Sequence, residues 1–242
     1  MSAILSVSGL SKSFGAVVVA EDTSFDIEEG AAVGILGPNG AGKTSLFNLI
    51  TGALKPNSGC IEFAGADITA LPAAKRCKMG IARSFQVPQP FSGMTVFENA
   101  LVGATLGAGL SAHDAQTHVL DVLQATGLLD KANARAGSLS LLDRKRLEMA
   151  RALAAKPKLL LLDEIAGGLT DAECVALIDT IKAVHAAGTT IILIEHVVHA
   201  LMAVVEKLIV IDFGRKIAEG EPETIMDSAV VKEIYLGVDP NV

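Results

Sequence analysis

A chain of 242 residues fits one domain, or one domain with a smaller lobe. Half of the residues are apolar and only 4% are aromatic, so a core has to be built from Ala, Val, Leu and Ile. A net charge of −7 without a long basic run argues against a nucleic-acid surface, whose affinity rests on neutralising phosphates.

The chain opens with short strands at Ile4–Val7, Val17–Val19 and Phe25–Ile27, separated by Gly and acidic turns. Ala31–Leu36 is a continuous apolar run that enters Gly37-Pro38-Asn39-Gly40, which reads as a buried strand feeding a tight loop. Gly42–Leu54 has helical spacing, with Leu46, Leu49 and Ile50 on one face. Strands are expected at Ser58–Phe63 and Ile81–Gln86, then a mostly helical stretch from about Thr95 to Ala155, where Val119, Val122 and Leu123 repeat at helical spacing before Gly127.

Lys158–Leu162 is the second buried strand. Thr170 and Glu173 form a capping box, opening a helix with Val175, Ile178, Ile181 and Val184 inward. Thr189–Ile194 is strand, Val197–Val205 helix and Leu208–Ile211 strand. Asp212–Arg215 turns into a final strand, and Pro222 suits the first turn of a terminal helix. His113, His118 and His185 are expected to face solvent. Alternation of strand and helix implies an α/β fold with a mainly parallel sheet, and the first 30 residues add an antiparallel layer. No apolar run approaches the roughly 20 residues that cross a bilayer, and Met1–Ile4 lacks the basic start of a signal peptide. Cys60, Cys77 and Cys174 are far apart, odd in number and without a CxxC pair, so a reducing, cytosolic setting is expected.

Gly37-Pro38-Asn39-Gly40-Ala41-Gly42-Lys43-Thr44 matches the phosphate loop GxxxxGK[ST] and lies between a strand and a helix, as that motif requires. Its amides and the helix N-terminus would face the phosphates of a nucleotide. Lys43 supplies a charge to them, Thr44 a hydroxyl to Mg²⁺, and Ser45 completes the nucleotide-binding set. Asp163-Glu164 follow a buried strand, where carboxylates face the crevice at the sheet's carboxyl end. Asp163 suits the Mg²⁺ shell and Glu164 the activation of water; an exposed acidic turn is the plainer alternative. Gln86, at the expected end of its strand, is either a sensor of Mg²⁺ or water, or a surface amide. His196, placed at a sheet end like Asp163, either reaches the γ-phosphate or is a surface or capping His. Ser140, with Asp143 three residues on, reads as a helix N-cap; Arg144, Lys145, Arg146 and Arg151 put basic charge on that helix.

In order and spacing, these residues resemble an ABC transporter ATP-binding subunit over nearly the whole chain. The resemblance runs through Phe14, the loop at 37–44, Gln86, Leu139-Ser140, the run at 146–153, Leu159–Glu164 and Ile194-Glu195-His196. It is strongest to the branched-chain amino-acid importer type. That likeness is carried by Ala82–Gln86, Met94–Asn99, Ala166–Leu169, Leu193–His196 and Tyr235-Leu236-Gly237. The resemblance implies one ABC domain over 1–242 with a P-loop NTPase core and a helical subdomain at roughly 95–155. Phe14 would stack on adenine, Gln86 would contact Mg²⁺ and relay to a permease, Glu164 would act as base, and His196 would touch the γ-phosphate. It also implies ATP and Mg²⁺, a second cassette whose nucleotide Ser140 reaches, two transmembrane permeases, an indirect link to a periplasmic solute-binding protein, and a seat on the cytoplasmic face of the inner membrane.

Three positions depart from the family pattern. The signature Leu-Ser-Gly-Gly-Gln is Leu139-Ser140-Leu141-Leu142-Asp143, Ile165 replaces a Pro, and Thr170 replaces an Asp. Two lost glycines would impede close backbone approach to a partner's phosphate, and Asp143 would bring negative charge there. These changes suggest pairing with a different cassette. A soluble, non-transport ABC ATPase is disfavoured, because only about fifty residues separate Gln86 from Leu139, no Cys-rich module is present and there is one cassette. A weakly hydrolysing regulatory cassette is disfavoured by intact Lys43, Asp163, Glu164 and His196.

Overall fold

A computed structural model of the chain describes residues 3–229, 231 and 232. The Tyr235-Leu236-Gly237 ending lies outside the described residues. Two sheets occur among them. The antiparallel sheet has the order β2-β1-β4-β5, from β1 (Ala3–Phe14), β2 (Val17–Glu28), β4 (Ser58–Phe63) and β5 (Ala66–Asp67). The second has the order β10-β9-β3-β8-β7-β6, from β3 (Ala32–Leu36), β6 (Ile81–Ser84), β7 (Leu159–Asp163), β8 (Thr190–Ile194), β9 (Lys207–Asp212) and β10 (Arg215–Gly220). Strands β6, β7, β8, β3 and β9 run parallel, and β10 is the antiparallel edge.

The first two strands are longer than the sequence suggested. Gly9 and the acidic Glu21-Asp22 read as turns, yet the strands run through them as bulges. Gly9 and Asp22 have positive φ (58° and 46°), and the β1–β2 register shifts between Val7 and Leu10. The amides freed by the bulges find hydroxyls: Gly9 donates to Ser24 Oγ at 2.8 Å and Asp22 to Ser11 Oγ at 3.0 Å.

Strand alternation divides the interior. Val33 and Ile35 of β3 point into a core shared with the antiparallel sheet and α1 (Lys43–Thr51), while Ala32 and Leu36 point into a second core against α6 (Asp171–Ala186) and α7 (Val198–Met202). In β7, Leu159 and Leu161 take the first side and Leu160 and Leu162 the second. Being buried on both faces is why these strands read as unbroken apolar runs. A third core joins α3 (Val96–Val102), α4 (Ala112–Ala125) and α5 (Leu141–Ala154), and a π-helical turn at Gly103–Gly107 extends α3.

Several local expectations need correction. The inward stripe of α6 is Cys174, Leu177, Ile178, Ile181 and Val184; Val175 is 54% exposed. A ladder of i+3 steps lags the 3.6-residue turn, so its first member falls off the buried face. His118 is half-buried, and burial pulls its pKa below the ordinary histidine range. His185 is also half-buried, with Nε2 2.7 Å from the Gly30 carbonyl.

Helix α2 (Ala73–Met79), between β5 and β6, was not expected, and its buried residue is Arg76. The guanidinium donates to the carbonyls of Leu49 (2.7 Å), Ile50 (2.8 Å), Thr69 (2.9 Å) and Leu71 (3.0 Å). It thereby ties down the carbonyl end of α1, the helix that follows the phosphate loop. Arg76→Met removes four donated hydrogen bonds, leaving the Leu49 carbonyl only the Gly52 amide, and is expected to destabilise the fold by about 3–5 kcal/mol, read as a lower denaturation midpoint in urea at unchanged slope.

Candidate functional site

The site forms where β3, β7 and β8 end, at the carboxyl edge of the parallel strands. Residues 37–42 turn tightly from β3 into α1. Gly42 has φ +102°, and a Cβ there would lie 2.2 Å from the Val19 carbonyl oxygen. Gly37 has no room either: a Cβ would come within 2.1 Å of the Ile211 carbonyl oxygen. These two glycines let the loop pack closely on β2 and β9. Asn39, Gly40, Ala41, Gly42, Lys43, Thr44 and Ser45 line an open cleft of about 340 Å³ with Val17, Val19 and Glu164.

Lys43 is 6% exposed, and its ammonium donates to the carbonyls of Gly37 (2.6 Å) and Pro38 (2.9 Å). Burial pulls it below the ordinary lysine range, opposed by the nearby carboxylates of Glu164 and Asp163. The loop's positive charge is thus placed beside the acidic pair.

Asp163 ends β7 and is 1% exposed. Its Oδ2 accepts from Arg83 on β6, which also donates to Asn48 Oδ1 at 2.6 Å and has the rings of Phe47 and Phe85 within 5.5 Å and 5.1 Å. Burial pushes the Asp163 carboxyl above the ordinary range, against the pull of the guanidinium. Its Oδ1 is buried and has no hydrogen-bond partner among the described residues. One oxygen anchored and one buried acceptor without a donor is the donor set a divalent cation takes. Asp163 can therefore offer Oδ1 to a divalent cation.

Glu164 adopts φ +48°, a left-handed conformation that a non-glycine residue holds only where its surroundings impose it. Its amide donates to the Ile194 carbonyl at 2.8 Å, Gln86 Nε2 donates to Oε2, and His196 Nε2 lies 2.7 Å from Oε1. The carboxylate is clamped between two polar side chains at the rim of the cleft. Two placements differ from expectation. Strand β6 stops at Ser84, so Gln86 sits in an exposed loop, and the residue level with Asp163 in the next strand is Ile194, not His196. His196 follows two residues later and turns back to Glu164.

Two expected nucleotide contacts do not line the cleft. Phe14 is 50% exposed at the β1–β2 hairpin with Lys12 Nζ 5.0 Å from its ring; its hairpin partner Val17 lines the cleft instead. Ser140 caps α5, accepting from the Asp143 amide at 3.2 Å and donating to Asp143 Oδ2 at 2.9 Å. The Asp143 carboxylate does not stand free at the helix start. It is 5% exposed and ion-paired with Lys131, so its charge is neutralised within the chain. Ile165, at the family's Pro position, is buried in the second core. Thr170 makes the expected capping box with Glu173.

Three charged side chains at the site, Arg83, Lys145 and Glu195, are buried, which the sequence reading did not anticipate. A sequence signal existed for Glu195 alone, a carboxylate directly after four apolar residues and beside His196.

The chain matches the ABC transporter family over residues 20–167. BraF, a high-affinity branched-chain amino acid transport ATP-binding protein of Pseudomonas aeruginosa, is 36% identical over 97% of this chain and 98% of its own length. LivG of Escherichia coli, which carries the same description, is also 36% identical over 97% of this chain and 98% of its own length. Among solved structures, a nucleotide-free ATP-binding cassette from an ABC transporter superposes with TM-score 0.89 at 30% identity, covering 98% of this chain and all of the other. The ADP conformation of an ATP-binding cassette gives TM-score 0.88 at 30% identity and the same coverage. A phosphate loop set against an acidic pair, a whole-length match and a shared fold agree: the chain belongs to the ABC transporter family, as an ATP-binding, ATP-hydrolysing cassette.

Proposed function

We propose that this cassette binds Mg–ATP at its phosphate loop and powers the import of branched-chain or other hydrophobic amino acids. The observation that carries the site is the meeting of Lys43, Asp163, Glu164, Gln86 and His196 at one edge of the parallel sheet. The amides of residues 39–43 and the Lys43 ammonium receive the β- and γ-phosphates. Thr44, Asp163 and Gln86 would hold Mg²⁺, which would supply charge neutralisation at the phosphates. Glu164 orients and takes a proton from the attacking water, and His196 holds the far end of the γ-phosphate while fixing the carboxylate. Phe14, exposed at the hairpin edge, is available to stack on adenine.

No helix among the described residues is long and apolar enough to cross a membrane. Transport therefore takes two permease subunits, with this chain on the cytoplasmic face of the inner membrane and a periplasmic binding protein delivering solute. A groove of about 540 Å³ between α2, β6, the π-helical turn and α5, with Phe85 and Leu106 exposed at its wall, supports docking of an apolar permease segment beside Gln86. The substrate class follows BraF and LivG, whose names state branched-chain amino acid transport. The test is reconstitution with the permeases, second cassette and binding protein that co-purify with this chain. ATP-driven accumulation of leucine, isoleucine or valine is expected. ATP turnover without accumulation of any of them would overturn the substrate class.

The second cassette is a different chain in this reading. Leu141 is 44% exposed where the family signature has Gly, and the Ser140 hydroxyl is engaged by Asp143. The purified chain alone is expected to bind ATP but turn it over at least about tenfold more slowly than the assembled transporter, because a signature without glycines approaches a partner's phosphate poorly. An ATP-induced homodimer hydrolysing at full transporter rate would refute this pairing.

A further inference from the structure

Behind the acidic pair lie two buried charges that neither line the cleft nor touch the loop. Lys145, on the second turn of α5, is 5% exposed, and Glu195, the residue after β8, is 2% exposed. The Lys145 ammonium donates to the Glu164 carbonyl at 3.4 Å, and the Ala166 amide donates to Glu195 Oε1 at 2.6 Å. Lys145 faces the carboxylates of both Glu195 and Glu164. Burial lowers the lysine and raises the glutamate, so each charge has a cost that the other offsets.

The segment between them needs holding. Glu164 sits at φ +48°, a conformation costing roughly 1–3 kcal/mol for a residue with a Cβ. Five contacts hold Glu164 and the Ala166 amide, besides the Leu169 amide and Cys174 Sγ that donate to the Ala166 carbonyl. The Glu164 amide is held by Ile194, the side chain by Gln86 and His196, the carbonyl by Lys145, and the amide two residues on by Glu195. Three of these five handles come from β8 and the loop after it, one from the loop after β6, and one from α5. Lys145 is the handle that crosses from the helical layer, on the same helix that Ser140 caps.

We propose that Lys145 and Glu195 are positioning residues for the water-activating carboxylate: they pin the strained Glu164–Ala166 turn from behind, and Lys145 makes the aim of Glu164 depend on the placement of α5. The proposal rests on Glu164 being the base. A buried pair serving stability alone would give a different result, because removing both charges together restores such a site.

The experiment compares Lys145→Met, Lys145→Arg, Glu195→Gln and the double variant Lys145→Met/Glu195→Gln in the full chain. It measures kcat and KM for Mg–ATP, affinity for a fluorescent ATP analogue and the melting temperature. Lys145→Met is expected to lower kcat about 10- to 100-fold with KM and nucleotide affinity within about twofold, as a misaimed reacting group does. Lys145→Arg keeps a donor and recovers most of that rate. The double variant recovers the melting temperature and not kcat, since the Gln oxygen still accepts from Ala166 while the Glu164 carbonyl stays unheld. If Lys145→Met does not fold, the double variant carries the test alone. Turnover of Lys145→Met within about twofold of the parent, or recovery of kcat together with stability in the double variant, would overturn the proposal. Glu164→Gln in the same assay separates the two ideas: turnover surviving that change sinks the base assignment itself, whatever Lys145 does.

Discussion

Glu164→Gln is expected to reduce ATP turnover by about 10³-fold while Mg–ATP stays bound, within the 10²–10⁴-fold that one positioned general base contributes. The amide of Gln retains the shape of the carboxylate and one acceptor oxygen for Gln86 or His196, but it cannot take a proton from water. Single-turnover phosphate release and equilibrium nucleotide binding, measured on the same preparation, separate the two effects. Loss of binding in proportion to loss of turnover would show that Glu164 holds the nucleotide rather than the water. Unchanged turnover would remove it from the chemistry.

Lys43→Ala is expected to weaken Mg–ATP binding about 100-fold, the loss of one charge-assisted contact worth about 1.5–3 kcal/mol. The effect belongs to the ligand and to the loop. The ammonium now donates to the Gly37 and Pro38 carbonyls, so truncation also frees the turn that those bonds close. Titration with a fluorescent ATP analogue checks the affinity. Affinity within about twofold of the parent would contradict the placement of the phosphates at residues 39–43, because a removed charge contact cannot cost so little there.

What could be read in the sequence, and what could not, divides along a physical line. Strands β3, β7 and β8 were legible because burial on both faces leaves no polar residue to break the run. The phosphate loop and the carboxylates Asp163 and Glu164 were legible because each sits at the end of such a run. Helix α2 was missed because its seven residues bury one side chain, and that side chain is an arginine. Arg83, Lys145 and Glu195 were missed for a related reason. A charged residue is ordinarily exposed, and only its partner justifies burial. Those partners, Asp163, the Glu164 carbonyl and the Ala166 amide, lie 19 to 80 residues away in the chain. Local pattern carries no trace of them. Asp143 is the same problem in reverse: its sequence position suggested a free negative charge at a helix start, and Lys131 on a separate turn cancels it. Gly9 and Asp22 looked like strand ends because their residue types suit turns, whereas hydroxyls across the sheet turned them into bulges.

Strand β3 sends alternate side chains into two separate interiors and then delivers the phosphate loop. Adding or deleting one residue within 32–36 would turn both sets of side chains the wrong way and carry Gly37 off its seat beside Ile211. The spacing from Ala32 to Gly37 therefore admits no length variation. Ala64-Gly65, at the β4–β5 turn, is under no such constraint: a Cβ on Gly65 meets nothing within 4 Å. Insertions and tags belong there, where growth of the chain leaves the register of the sheet untouched.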